Sequence, residues 1–65
     1  MKIIRLLVCY GKDYHVYIIN NSPWYDKDIT ACDSITNKGE WFEVIGISGN
    51  MYMVNKDYVI EYEQA

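Results

Sequence analysis

The apolar and polar positions of this chain fall into short segments of strand period, separated by breaks rich in Gly and Asn. Residues 2–10, KIIRLLVCY, are dense in Ile, Leu and Val with no helix cap before them, which predicts a strand. Strict alternation puts Ile4, Leu6, Val8 and Tyr10 on one face and Ile3, Arg5, Leu7 and Cys9 on the other. Both faces are apolar apart from Arg5, the pattern of a strand covered on two sides. Gly11-Lys12-Asp13 reads as a turn in which glycine supplies a positive φ. Residues 14–19, YHVYII, return as the second strand and complete a hairpin.

Residues 20–28, NNSPWYDKD, form the longest irregular segment and carry Trp24 and Tyr25 directly after the single proline. Residues 29–35, ITACDSI, alternate as a strand would, and their β-branched members support that reading. One short helix near 26–34, capped by Asp26 or Asp28, is the competing reading. Asn37-Lys38-Gly39 and Ser48-Gly49-Asn50 are tight turns on either side of a strand at 40–47. Residues 51–54 return, Asn55-Lys56-Asp57 makes one 3₁₀ turn, and residues 58–63 form the last strand. The expected fold is all-β or mostly β: one small domain over 1–65, built as a five- to six-stranded antiparallel sheet or small barrel.

Length changes what this pattern demands. A 65-residue chain buries only about 60% of its unfolded surface, and domains of this size commonly need a disulfide, a metal or a partner subunit. Two cysteines, Cys9 and Cys32, are too few for a secreted disulfide scaffold. The N-terminal segment does not read as a secretory leader, because Arg5 interrupts the apolar run and no small-residue cleavage site follows. A cytoplasmic protein with reduced thiols is expected, both cysteines acting as small buried hydrophobes. The longest apolar run, Leu6–Tyr10, falls far short of the roughly 18 residues of a membrane span. His15 is the lone histidine and no CxxC or HxxxH spacing occurs, so neither a metal nor a cofactor is expected. That leaves a partner, most simply a second copy in a homodimer.

The formal net charge is -3, and the six basic residues are scattered. A surface that tracks phosphates needs them clustered, so nucleic acid is not the favoured partner. Ile, Asn, Lys and Tyr supply 26 of the 65 residues, and their AT-rich codons suggest a low-GC bacterium or one of its phages.

In the C-terminal third, Trp41-Phe42, Ser48-Gly49-Asn50, Tyr52 and Asn55-Lys56-Asp57-Tyr58-Val59 resemble the second half of an SH3 domain. In that family a Trp pair opens a strand, a Gly turn follows, and a 3₁₀ segment leads into the last strand. The resemblance covers about 20 residues, lacks the family's N-terminal Ala-Leu-Tyr-Asp-Tyr motif, and has Val54 where the motif's proline would stand. It implies an SH3-like small barrel, with Trp41 and Tyr58 in the position of the family's peptide groove.

Candidate chemistry is thin. His15 is the side chain able to act as a base near neutral pH, and Cys9 across the hairpin could serve it as a nucleophile, but no relay organises them. Asp26 with Asp28 offers too few oxygens for a cation loop, and Glu61 with Glu63 marks the solvent face of a strand. The aromatic residues are the stronger signal: seven Tyr, two Trp and one Phe exceed what so small a core absorbs. Tyr and Trp carry much of the energy at protein interfaces. Arg5 either extends to the surface along its aliphatic stem or pairs with an acidic partner across an interface. The expected function is a small non-enzymatic protein-binding module, such as a phage or mobile-element accessory factor that inhibits or redirects a host protein. Its contact candidates are Trp24, Tyr25, Arg5, Tyr17, Trp41 and Tyr58. The alternative is a nucleic-acid-binding small β-barrel that stacks bases on its aromatic residues.

Overall fold

The structure is a computed structural model and describes residues 2–19 and 28–65. Six strands follow in chain order: β1 (Ile3–Tyr10), β2 (Asp13–Ile19), β3 (Ile29–Asn37), β4 (Trp41–Gly46), β5 (Met51–Asn55) and β6 (Val59–Gln64). A single 3₁₀ turn, η1 (Lys56–Tyr58), joins β5 to β6. The strands form one sheet in the order β5-β4-β3-β2-β1-β6. The all-β expectation holds, and the segment read as strand or short helix is a strand over 29–37; residues 26 and 27 lie outside the described residues.

Local chemistry places the turns. Gly11, Gly39 and Gly49 all adopt positive φ, from 67° to 94°, where a Cβ would clash with the backbone. Asn37 Oδ1 accepts from the Gly39 N–H at 2.9 Å and tightens the β3–β4 turn. Asn55 Oδ1 accepts from the Asp57 N–H at 2.9 Å and caps η1.

One pairing departs from the antiparallel expectation. β2 and β3 run parallel, with Val16 opposite Ile29 and Ile19 opposite Cys32. Parallel neighbours cannot be joined by a hairpin, and the longest irregular segment in the sequence falls between these two strands. The other four pairings are antiparallel.

The core lies on one face of the sheet and draws on every strand. Ile3, Leu6 and Val8 of β1 cluster with Tyr17, Cys32, Ile35, Phe42, Val44 and Val54, and Val59 of β6 packs against them. Across a flat six-stranded sheet the outer strands would stand roughly 24 Å apart, at about 4.8 Å per step. Residues of β5 and β6 can share one cluster with β1 because the sheet curls into a half-barrel. Register shifts at Ile4, Asp33 and Ile60 supply extra residues that bend and twist the strands. They also overturn strict alternation: Ile3 joins Leu6 and Val8 in the core, and Cys32 joins Ile35. Among the described residues no helix is long and apolar enough to cross a membrane.

Candidate binding surfaces

The curl leaves a seam. β6 pairs with β1 on one side, and among the described residues no strand occupies its other side. A cleft of about 550 Å³ runs there. Five consecutive residues of β6, Val59 to Glu63, line it. Successive strand residues point to opposite faces, so a space seen by all five lies along the strand's edge. The opposite wall is Asn37, Phe42 and Lys56, from the β3–β4 turn region and η1. Tyr62 stands opposite Leu6 on the inner face, its ring 6.0 Å from that of Phe42. Lys56 Nζ lies 5.2 Å from the Phe42 ring centroid.

Charge gathers on the outer side of the same edge. Arg5 Nε donates to Glu63 at 3.2 Å, and its Nη2 donates to Glu61. Register explains the triad: Arg5 is directly opposite Glu63, and Glu61 is opposite Leu7 on the same face. The hydrogen bonds that Arg5 donates to Glu61 and then Glu63 raise its already very high pKa. Two carboxylates meet one guanidinium, so the outer side of the edge keeps an excess of negative charge, while Lys56 stands on the opposite wall of the cleft.

Lys56 also lines a second cleft of about 410 Å³, with Trp41, Glu40 and Asp57. Trp41 leads to the third surface, the outer face of the β4–β5 end. There Trp41, Glu43 and Ile45 of β4 pair with Asn55, Met53 and Met51 of β5. Trp41 is 40% exposed, Met51 60% and Met53 50%, and Ile47 just beyond β4 is exposed as well. β5 is the other edge of the sheet, carries no charged side chain and pairs without a bulge. Native edges are usually blunted by such devices.

The sequence-derived contact candidates are dispersed. Arg5 reaches the seam, but its acidic partners belong to its own chain. Trp41 lines the neighbouring cleft. Tyr58 does not line that cleft; its ring packs 5.3 Å from Tyr10. Tyr17 is corrected from contact residue to core residue: it is 8% exposed and packs near His15 and Tyr52. Trp24 and Tyr25 lie outside the described residues. Sequence reasoning missed Phe42, Lys56, Tyr62, Met51 and Met53. Nothing in the sequence marks β5 and β6 as edges; only the strand order does.

The nucleophile idea fails on geometry. Cys9 pairs with Tyr14 and His15 with Val8, so the thiol and the imidazole project from opposite faces. Cys9 donates to the Gly11 carbonyl at 3.2 Å, and His15 Nε2 lies 2.6 Å from the Thr30 hydroxyl. Burial, with Asp33 adding, pushes the Cys32 thiol up to about 11, the behaviour of a packing residue. Among the described residues no three His, Cys, Asp or Glu side chains gather as a metal site. No known protein family matches the chain, and no curated protein or solved structure matches it either.

Proposed function

We propose that this chain is a small, non-enzymatic protein-binding module. The observation that carries the reading is the outer strip of exposed Trp41, Ile47, Met51 and Met53 with half-buried Ile45, which Glu43 borders on β4, at a sheet edge whose own strand is uncharged. Contiguous exposed apolar surface on a small domain marks an interaction site, and methionine adapts its shape to the surface it meets. A protein ligand suits the seam better than a phosphate backbone, because its arginine is already held by two carboxylates.

Finer parts of the reading follow from the same features. The run of β4, a Gly turn, β5, a 3₁₀ turn and β6 supports an SH3-like small barrel. The outer face of the first hairpin carries Leu7, Val16 and Ile18, which supports self-association as a homodimer. The codon bias supports an accessory factor of a low-GC bacterium or its phage, acting in the cytoplasm as an inhibitor or modulator of a host protein.

Affinity capture from a lysate of such a bacterium tests the reading, with wild-type chain and a Met51→Lys, Met53→Lys variant as baits. Both side chains are at least half exposed, so the fold tolerates the charges. A protein retained by the wild type and lost with the variant supports the module. Identical retention by both baits, or none by either, rejects it. Light scattering at micromolar concentration tests the dimer, which a monomeric mass would exclude.

A further inference from the structure

We infer that the seam along β6 takes an extended segment of a protein partner, with basic residues at alternate positions and an apolar residue between them. The inference rests on the reading of the chain as a protein-binding module and names the chemistry of the segment that one of its surfaces receives.

Three features of the seam converge. A strand edge offers a row of free backbone donors and acceptors, and an added strand satisfies them while its alternate side chains set specificity. The 550 Å³ cleft lies along the β6 edge and falls within the range of binding pockets. Its two sides differ in chemistry, so they dictate alternation in whatever pairs there. On the inner side Tyr62 faces the newcomer, 52% exposed and backed by the buried Phe42 ring 6.0 Å away, which favours an apolar side chain. On the outer side stand Glu61 and Glu63, with side chains 57% and 55% exposed. Residues i and i+2 of an added strand would lie beside these two carboxylates. Lysine or arginine there would hold each carboxylate between its own charge and that of Arg5.

The same charges decide against a second copy on this edge. Antiparallel self-pairing of β6 about Tyr62 would set Glu61 of one copy directly opposite Glu63 of the other. Like charges in that position are destabilising, so the edge repels its own kind and admits the opposite charge.

The test uses the full chain and a short fluorescein-labelled peptide, Thr-Lys-Val-Lys-Val-Lys-Thr, followed by anisotropy and by amide chemical shifts. Binding is expected, with shifts concentrated in 59–63, Phe42 and Lys56. Two control peptides separate the contributions. Glu in place of every Lys is expected to abolish binding, and methylation of the backbone nitrogen of the central Lys, which removes a backbone donor and keeps the charge, to weaken it several-fold. Glu61→Gln with Glu63→Gln is expected to weaken the basic peptide roughly tenfold, two exposed ion pairs being lost. Glu61→Lys with Glu63→Lys is expected to reverse the preference toward the Glu peptide, which a merely unfolded variant cannot do. Equal affinity for the Lys and Glu peptides, or shifts confined to β5, would overturn the proposal while leaving the module reading intact if capture still depends on Met51 and Met53. No peptide binding together with capture indifferent to those methionines would reject both.

Discussion

The ammonium of Lys56 lies 5.2 Å from the centroid of the Phe42 ring, so the 3₁₀ turn that joins the two sheet edges is tied to the wall of the seam. Phe42 is 3% exposed, and the cation covers the ring from the cleft side. Lys56→Met keeps an aliphatic stem and removes the charge; it is expected to lower stability by about 0.5–1 kcal/mol. Urea denaturation should show the midpoint falling with the slope unchanged. A cycle with Phe42→Leu isolates the contact from the packing loss, and strictly additive effects would mean that the contact contributes nothing.

Arg5 is held by two carboxylates that are both more than half exposed, and exposed pairs contribute little. Arg5→Met is therefore expected to cost under about 1 kcal/mol. The difference should narrow in about 1 M salt, where the screening length is about 3 Å. The sign of its pH dependence follows from the raised pKa. A cation stabilised in the fold contributes fully below its unfolded pKa and loses that contribution only as pH rises through the folded value. Both values lie far on the alkaline side, so Arg5 adds no slope near neutral pH. A large, salt-independent difference between Arg5→Met and wild type would contradict this account.

The elements were legible in the sequence, and their assembly was only partly so. Every turn that structure places at Gly11, Gly39 and Gly49 is signalled by glycine beside Asn, Lys or Ser, because the left-handed backbone there excludes most other residues. The 3₁₀ turn after Asn55 is signalled by a side chain that caps its own backbone. Face assignment failed where a bulge intervened. Alternation placed Ile3 with Arg5, and the extra residue at Ile4 returns Ile3 to the core. The seam was illegible for a different reason: Phe42 and Tyr62 are 20 positions apart and meet only because the sheet curls. Aromatic richness pointed to a binding surface, but Tyr17 went into the core while Met51 and Met53 stayed outside.

Two glycines in the same half of the chain should respond oppositely to alanine. At Gly39, φ is +94° and no atom beyond its own and its chain neighbours' lies within 4 Å of an added Cβ, so the cost is backbone strain alone. Gly39→Ala is expected to destabilise by roughly 1–2 kcal/mol. Gly46 sits in β4 without a positive φ, and its Cβ would meet Tyr52 Cε2 at 3.5 Å, an ordinary contact. Gly46→Ala is expected to be neutral or to stabilise by up to about 1 kcal/mol, since it restricts the unfolded chain. Paired denaturation curves check both signs, and a loss at Gly46 matching that at Gly39 would rule out the backbone explanation.

Tyr17 should ionise well above the ordinary tyrosine range. Burial first, and the neighbouring Tyr10 second, push its phenol up to about 12. In the unfolded chain the phenol titrates near its ordinary value of about 10. Between those values the folded state holds a proton that the unfolded state has lost, so stability falls as pH rises. The Tyr17 contribution is complete below about pH 10 and gone once pH passes the folded value of about 12. The buried Cys32 thiol acts in the same direction from lower pH, its folded value of about 11 standing above an ordinary value of about 8.5. Phenolate absorbance followed against pH in wild type and Tyr17→Phe separates the two groups. The difference curve is expected to show one step well above the ordinary tyrosine range. In Cys32→Ala the loss of stability is expected to begin at higher pH, near the onset of tyrosine ionisation. A difference step at the ordinary tyrosine pKa would mean that the Tyr17 hydroxyl is solvated and that the core closes around the ring without enclosing its polar tip.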